Sequence, residues 1–305
     1  MTHGIDLFSS DDGQTITIFA VNHLPDPEHF SPASAELRAP HPGRSQIEVF
    51  EHNPGSATAR WVRSIRHPLI RTPNDLYATS ATSFYATNDH YYRSGVLREL
   101  EDLLEYNTGA WSDVVHVTFS THANDGDAAS GVSAQIAFSK IHNPNGMGHT
   151  SDARPNEVLV ADAAGGELYV MERDVGSASP ELSMRERIQL DSTVDNPSYY
   201  DDPYATTASN ASGYVIAGLA VALDLAKDVR TRSNPIPTLV WYVRRDENGA
   251  QEKRIIFQDD GTTLRSASAA VLMAIDPKDN DGKKQAWLWV TGFVSQSIVV
   301  AKVDL

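Results

Sequence analysis

Residues 158–173 read VLVADAAGGELYVMER, in which two runs rich in branched and aromatic side chains flank the segment Asp162–Gly166. Two such runs separated by a short, glycine-containing segment predict a β-hairpin. Comparable runs bounded by Gly, Pro, Asn and Asp recur along the whole chain, for example at Gln46–Glu51, Val114–Phe119 and Thr238–Arg244. Many short strands with almost no helix between them predict an all-β sandwich, barrel or propeller, and they disfavour a parallel α/β sheet.

The composition is that of a globular chain of 305 residues, with 41% hydrophobic and 21% charged residues. That length suffices for one large core, and we expect a single domain over residues 1–305. The formal net charge of −15 disfavours binding to nucleic acid and to anionic membranes, and it suits neutral substrates or cations. Cysteine is absent, which excludes disulfides, thiolate nucleophiles and zinc–thiolate sites.

One amphipathic helix is predicted over Ser94–Tyr106, with Ser94 as its N-cap. Its apolar stripe consists of Val96, Leu97, Leu100, Leu103 and Leu104. A stripe of this kind predicts a helix packed with its apolar side on the edge of a sheet. The acidic opposite face argues against association with anionic lipid.

Asn and Asp side chains cluster in turns next to the predicted strands. The clusters are Asn74-Asp75, Asn88-Asp89-His90, Asn145-Gly146 and Asp195-Asn196. Calcium takes about six to eight oxygen ligands from carboxylates, amide oxygens and backbone carbonyls. In a propeller the inner strands converge on a central channel, so separate turns could supply such a set. Each pair alone is more typical of a turn, and the EF-hand loop pattern is absent.

Two histidines, His3 and His23, flank the predicted strand Gln14–Val21. Neighbouring imidazoles at a strand end can act as a general base and its orienting partner, although a histidine beside a strand is more often structural. The HExxH, GxSxG and P-loop patterns are all absent. The sequence therefore gives no support to a zinc hydrolase, a serine nucleophile on an elbow or a nucleotide-phosphate site.

Taken together, these motifs resemble the serum paraoxonase/arylesterase family. They occur in the order HGIDLF from His3, VNH at 21–23, PNDLY at 73–77, SFYATNDHYY at 83–92, AWSDVVHV at 110–117 and VDNP at 194–197. The specific part is FYATNDHYY followed by the predicted helix and AWSDVV. The resemblance implies a six-bladed β-propeller with a short helix near the active-site entrance, and calcium-dependent hydrolysis of lactones and aryl esters.

The resemblance also implies roles for individual residues around two calcium ions. The implied ligands of the catalytic calcium are Asn74, Asn145, Asp195 and Asn196, with Asn143 an alternative to Asn145. The implied ligands of the structural calcium are Asp75 and the backbone carbonyl of Ile5. The implied catalytic pair is His3 with His23, and Asp89 and His90 are implied to line the substrate pocket.

These implied roles make chemical sense together. A calcium ion held largely by neutral amide oxygens can polarise an ester or lactone carbonyl and stabilise the developing oxyanion. Water deprotonated by His3, with His23 orienting it, would attack the carbonyl carbon. The expected substrate is thus a small lactone or ester, and no covalent protein nucleophile is needed.

The chain departs from the family pattern in two ways. It starts two residues before the HGI motif, whereas the family's Glu-Asp pair, which gives one ligand to each calcium, lies well upstream. We therefore expect the first blade to be incomplete. Cysteine is also absent, where animal members join their termini by a disulfide. Two alternatives stay open, namely a non-catalytic propeller that has lost its acidic ligands and a gluconolactonase-like hydrolase. The sequence leaves localisation and oligomeric state open.

Overall fold

The computed structural model describes residues 2–31, 41–104, 110–121, 126–174, 180–220, 231, 234–246 and 249–305. The strands in these residues are β1 (Thr2–Ser9), β2 (Ile16–Pro25), β3 (Gly43–His52), β4 (Arg60–Ile65), β5 (Pro73–Ser80), β6 (Ser83–Asn88), β7 (Ser112–Phe119), β8 (Val132–Ile141), β9 (Pro144–His149), β10 (Glu157–Asp162), β11 (Glu167–Arg173), β12 (Leu182–Gln189), β13 (Thr193–Tyr200), β14 (Gly213–Leu219), β15 (Thr238–Arg245), β16 (Gln251–Asp259), β17 (Ala267–Ile275), β18 (Gln285–Gly292) and β19 (Val299–Asp304). The helices are α1 (Pro27–Phe30), α2 (Val96–Leu104) and a 3-10 turn at Pro277–Asp279.

The strands form sheets in which chain neighbours pair with each other. Three sheets have four strands each, in the orders β1-β2-β3-β4, β5-β6-β7-β8 and β9-β10-β11-β12. A seven-stranded sheet has β13 and β17 as neighbours, joined by one parallel pairing between Asn196 and Ala269. That sheet divides there into an antiparallel group of four, β13–β16, and a group of three, β17–β19. Successive four-stranded meanders are the blades of a β-propeller, so the predicted fold class is confirmed.

The first blade was expected to be incomplete, but the three-stranded group lies at the other end of the chain. The first sheet, β1–β4, contains four strands, and the three-stranded group is the last one along the chain. The first sheet has four strands because β1 pairs with β2 from Thr2 onward. The blade number stays a prediction, because the counts above cover only the described ranges.

The chain separates into two compact units, one comprising Met1–Gly146 with Arg173–Ser183 and the other Met147–Glu172 with Met184–Leu305. The prediction of a single domain over residues 1–305 stays a prediction. In the first unit, alternate residues of the central strands point to one apolar core. Phe19, Phe84 and Phe119 lie at its centre, with ring centroids 5.3 to 6.4 Å apart. Tilted aromatic pairs at this spacing add to the stability that burial provides.

The second unit has the same construction. Val215 and Ala217 of β14 pack with Val240 and Tyr242 of β15, again at alternate positions. The hydroxyl of Tyr242 donates to the carbonyl oxygen of Ala211, which satisfies the one polar atom of this buried ring. The apolar residues that alternate along each strand therefore form the face of the sheet that packs into the core.

Helix α2 confirms the predicted helix over Val96–Leu104, while Tyr106 lies outside the described residues. The predicted packing of its apolar stripe is wrong, because Val96 is 79% exposed and Leu103 is 70% exposed. Instead, Glu101 is fully buried and its carboxylate accepts the backbone N–H groups of Tyr91 at 2.6 Å and Tyr92 at 2.9 Å. These charge-assisted hydrogen bonds hold the polar side of α2 against the protein. Among the described helices, none is long and apolar enough to cross a membrane.

Replacing Glu101 by Gln is expected to destabilise the fold by about 1–3 kcal/mol, since an amide nitrogen would then face a backbone N–H that loses its acceptor. The measurement is the free energy of unfolding in urea. Glu99→Gln is the matched control, because Glu99 lies exposed on the same helix. Equal effects of the two substitutions would contradict the role given to Glu101.

Candidate active site

His3 and the metal-ligand candidates lie near the start of the first strand of their sheet or strand group. The pairing with the neighbouring strand shifts register between Thr2 and Ile5 in β1, between Pro73 and Leu76 in β5, between Val194 and Pro197 in β13, and between Ala267 and Ala269 in β17. These irregularities enclose His3, Asn74-Asp75, Asp195-Asn196 and Ser268, respectively. Asn145 is the second residue of β9. Bulges of this kind redirect side chains and are common next to active sites.

The two predicted catalytic histidines are in contact. The Nδ1 atom of His3 lies 3.3 Å from the Nε2 atom of His23, and the ring centroids are 5.4 Å apart. This contact follows from the pairing of β1 with β2, in which Thr2 lies opposite Asn22. The Nδ1 atom of His23 lies 2.9 Å from the hydroxyl of Ser45 on β3. The sheet thus lines up Ser45, His23 and His3 across three strands.

Burial lowers the pKa of both histidines below the ordinary value of 6.5. The charge of Asp89 partly opposes this effect on the pKa of His3. For His23, burial is again the largest cause, and the neighbouring His3 lowers the pKa further. Both rings are therefore neutral at neutral pH, the state that a general base requires.

The metal-ligand candidates Asn74 and Asp75 lie directly beneath β1. Both are buried, with Asn74 only 6% exposed. A Cβ atom on Gly4 would lie 2.3 Å from Oδ1 of Asp75 and 2.5 Å from the carbonyl oxygen of Asn74. Only glycine therefore permits this approach, which places the residue after His3 against the carboxylate of Asp75.

Asn145 is tied to the same region through Thr87. The backbone N–H of Asp75 donates to the Thr87 hydroxyl at 3.0 Å, and that hydroxyl donates to the carbonyl oxygen of Asn145 at 2.7 Å. The nearby Asn143 uses its amide nitrogen to bind the carbonyl oxygen of Asp89 at 2.7 Å. Within the described ranges, the side chains of Asn74 and Asn145 make no hydrogen bond. The hydrogen bond of Asn143 uses only its amide nitrogen, so both Asn143 and Asn145 stay predicted ligands.

The remaining metal-ligand candidates are Ile5, Asp195 and Asn196. Ile5 pairs with Ala20 in the ladder between β1 and β2, and its side chain is largely exposed. Asp195 and Asn196 belong to the second unit. The amide nitrogen of Asn196 donates to the carbonyl oxygen of Ser268 at 2.8 Å and to its hydroxyl at 3.1 Å. Its amide oxygen takes no part in these two bonds, which leaves it suited to a hard cation.

The predicted pocket residues Asp89 and His90 connect the end of β6 to α2. The two ring nitrogens of His90 lie 3.1 Å from a carboxylate oxygen of Asp89 and 3.1 Å from one of Asp102 on α2. Arg98 binds the same oxygen of Asp102 at 2.8 Å. Burial would raise the pKa of Asp89, but the adjacent His90 ring and the charges around it hold that pKa below its usual value. Asp89 is therefore an anion facing the histidine pair.

The donor chemistry of these residues fits calcium. The described residues contain no group of three or more His, Cys, Asp or Glu side chains placed to hold a metal ion. A calcium site of the implied kind uses amide and backbone oxygens, which are not of those types. The buried amide of Asn74, the amide of Asn145 and the carboxylate of Asp75 are oxygen donors brought together within the first unit.

Three residues that shape the site were not predicted from the sequence: Gly4, Ser45 and Thr87. Gly4 belongs to the HGI motif and Thr87 to the FYATNDHYY motif, so their motifs were recognised without their structural roles. Ser45 carries no sequence signal of its own, since it reaches the site only through strand pairing and its contact with His23.

The sheets and the oxygen donors at their first strands define a β-propeller protein with a candidate hydrolase site. The sequence matches the family described as Arylesterase over residues 37–274, which is most of its length. The chain therefore belongs to the arylesterase family, and the predicted resemblance is confirmed.

The relatives of the chain are serum paraoxonases. Human serum paraoxonase/lactonase 3 is 26% identical over 280 residues, covering 88% of this chain and 62% of that protein. Chicken (Gallus gallus) serum paraoxonase/arylesterase 2 is 30% identical over 200 residues, covering 66% and 46%. Human serum paraoxonase/arylesterase 2 is 26% identical over 194 residues, covering 64% and 44%. The chain thus spans about half the length of the curated relatives it matches.

Two solved structures align with this chain at low sequence identity. A periplasmic gluconolactonase of Pseudomonas aeruginosa aligns with a TM-score of 0.42 and 9% identity, covering 98% of this chain and 85% of that chain. A luciferin-regenerating enzyme aligns with a TM-score of 0.41 and 9% identity, covering 99% and 89%.

Proposed function

We propose that this chain hydrolyses small lactones or aryl esters, with calcium as a Lewis acid and His3 as the general base. The observation that carries the proposal is the close approach of β1 and β5 at Gly4. On one side of Gly4 stands His3 in contact with His23, and against Gly4 itself lies the carboxylate of Asp75. A base and a set of oxygen donors are thus adjacent in a chain that belongs to the arylesterase family.

Asn74, Asn145 and Asp75 are the proposed calcium ligands of the first unit. Three further ligands are predicted only from the family resemblance: Asp195, Asn196 and the backbone carbonyl of Ile5. Bound calcium would supply a Lewis acid that polarises the substrate carbonyl. The residues of this chain supply the remaining functions, which are to orient the base, to receive the proton and to line the pocket.

The proton path begins at His3. With Nδ1–H of His23 donating to the Ser45 hydroxyl, Nε2 of His23 is an acceptor for Nδ1–H of His3. That tautomer leaves Nε2 of His3 with a lone pair, which takes a proton from the attacking water. His23 then accepts a hydrogen bond from the imidazolium of His3, and the charge of Asp89 favours the same cation. The water oxygen bonds to the carbonyl carbon as the ester C–O bond breaks, and the proton passes to the leaving oxygen.

The direct test is hydrolysis of a δ-lactone and of phenyl acetate by the purified chain with calcium. Hydrolysis of either is the expected result. If the folded protein hydrolyses neither substrate, the result contradicts the proposal and supports the alternative, a non-catalytic propeller.

The rate should depend on pH through the histidine pair. Because burial lowers the pKa of His3, we expect kcat/KM to be constant near neutral pH and to fall as the pH drops through a value below 6.5. The fold should also lose stability as the pH falls below 6.5, since the unfolded chain then binds more protons than the folded one.

The measurement is a pH–rate profile of the wild type and of the His3→Asn variant. The variant should lose at least about tenfold in rate and lack the acidic limb. His52→Asn is the control, since His52 is half-buried at the end of β3, where its ring contacts the carbonyl oxygen of Thr58. An unchanged profile and rate in His3→Asn would refute His3 as the base.

A further inference from the structure

A cavity of about 340 Å³ opens beside the histidine pair in the first unit. Its wall includes His23 and Asp89, so it adjoins the proposed reaction centre. The remaining wall comes from the start of β3, from residues 71–72 and from the segment that leads into α2. A lactone or a small aryl ester fits a cavity of this size.

The wall of this cavity is rich in arginine. Arg44, Arg71, Arg93 and Arg98 all line it, whereas Asp89 is the only carboxylate among its described lining residues. This local excess of positive charge contrasts with the formal net charge of −15 of the whole chain. A cationic wall in an acidic protein is a feature that needs a chemical explanation.

Two of these arginines are already engaged with carboxylates. Arg71 forms an ion pair with the buried Asp113, and its guanidinium lies over the ring of Tyr91 at 4.5 Å. Arg98 pairs with Asp102 within α2. Their charges are largely compensated, so they shape the wall more than they attract a ligand.

The other two arginines form no ion pair at contact distance with a carboxylate among the described residues. Arg93 donates to the carbonyl oxygen of Ile70 at 2.9 Å, and this is its one hydrogen bond there. Arg93 thus retains N–H donors that make no hydrogen bond there, and the Arg44 side chain lines the same cavity. A guanidinium presents its N–H groups in a fork geometry that matches a carboxylate.

The electrostatics of Arg93 agree with this geometry. Burial and the nearby charge of Arg71 lower the pKa of Arg93, and Asp26 opposes them. Asp26 is itself the N-cap of α1, where it accepts the backbone N–H of Glu28 at 3.0 Å. A desolvated guanidinium beside another cation gains stability from an anion placed in the cavity.

We infer that this cavity binds a carboxylate carried by the substrate, with Arg93 as its main partner and Arg44 as a second donor. The substrate class is therefore a lactone or ester with a carboxylate substituent. The lactone or ester part of this inference rests on the proposed function, and the carboxylate part rests on the cavity. Arg93 is a specificity-determining residue here. It binds the distal end of the substrate, while His3 and the calcium ligands act on the carbonyl.

A binding experiment separates this inference from the proposed hydrolysis. Benzoate and benzamide are titrated into the intact protein by calorimetry, since they match in shape and differ in charge. Benzoate should bind at least about tenfold more tightly than benzamide to the wild type, and Arg93→Met should remove that preference. Arg60→Met is the control, because Arg60 lies exposed on β4 and pairs with Glu51.

A kinetic experiment then examines specificity. The ratio of kcat/KM for monophenyl succinate to that for its neutral methyl ester should fall about tenfold in Arg93→Met, through KM and with little change in kcat. Equal binding of benzoate and benzamide to the wild type would overturn the inference, as would a preference that survives in both Arg93→Met and Arg44→Met. If Arg93→Met fails to fold, the wild-type comparison and Arg44→Met still decide. Absence of all hydrolysis with intact benzoate binding would count against the proposed function and support the cavity.

Discussion

Replacing Asn74 by Ala is expected to lower kcat/KM for lactone hydrolysis by about 100-fold, the effect seen when one electrostatic group is removed from a reaction centre. The Asn74 side chain is buried, lies in the irregularity at the start of β5, and makes no hydrogen bond within the described part of the chain. Its amide oxygen is thus available to the calcium ion that we propose it binds. On that proposal, calcium affinity should fall together with the rate.

The control for this substitution is Asn53→Ala. Asn53 is exposed and donates to the carbonyl oxygen of Gln14 at 2.8 Å, far along the chain from β5. Its replacement should leave the rate and the calcium affinity unchanged. If Asn74→Ala keeps both the wild-type rate and the wild-type affinity, Asn74 is a structural amide and not a ligand.

Chelation of calcium is expected to lower the melting temperature Tm of the folded chain. A ligand that binds only the folded state stabilises it by about 2.7 kcal/mol per site when its concentration is a hundred times Kd. For a chain of 305 residues, that corresponds to a fall in Tm of roughly 4 °C per site. Differential scanning calorimetry with calcium, with EDTA, and with calcium restored after EDTA measures the shift.

Magnesium provides the ionic control for chelation. Because it demands a tighter octahedral shell and dehydrates reluctantly, magnesium should restore little of the lost stability. Asn74→Ala should show a smaller shift than the wild type. Identical melting curves in calcium and in EDTA would contradict calcium binding by this chain.

Strand alternation made the all-β class predictable, because the period of two is a property of the local chain. The helix α2 was predictable for the same reason, from its period of 3.6. Its orientation was not, since that depends on Glu101 receiving the N–H groups of Tyr91 and Tyr92. Periodicity identifies an apolar side of a helix, but the buried side follows from tertiary hydrogen bonds.

The candidate site was predictable where its residues stood in recognisable motifs. His3 and His23 are 20 positions apart, and the ladder between β1 and β2 brings their nitrogens to 3.3 Å. The contribution of Ser45 depends on a third strand and left no trace in the sequence. Likewise, the cationic cavity consists of arginines scattered from residue 44 to residue 98, which only the fold collects.

The measurement that tests the central claim most directly is the rate of lactone hydrolysis as free calcium is titrated into the calcium-stripped wild-type protein. We expect no hydrolysis without calcium, a saturable rise as calcium is added, and a return to the baseline on addition of EGTA. A hydrolysis rate that is unchanged across the whole titration would contradict the assignment of calcium to the reaction.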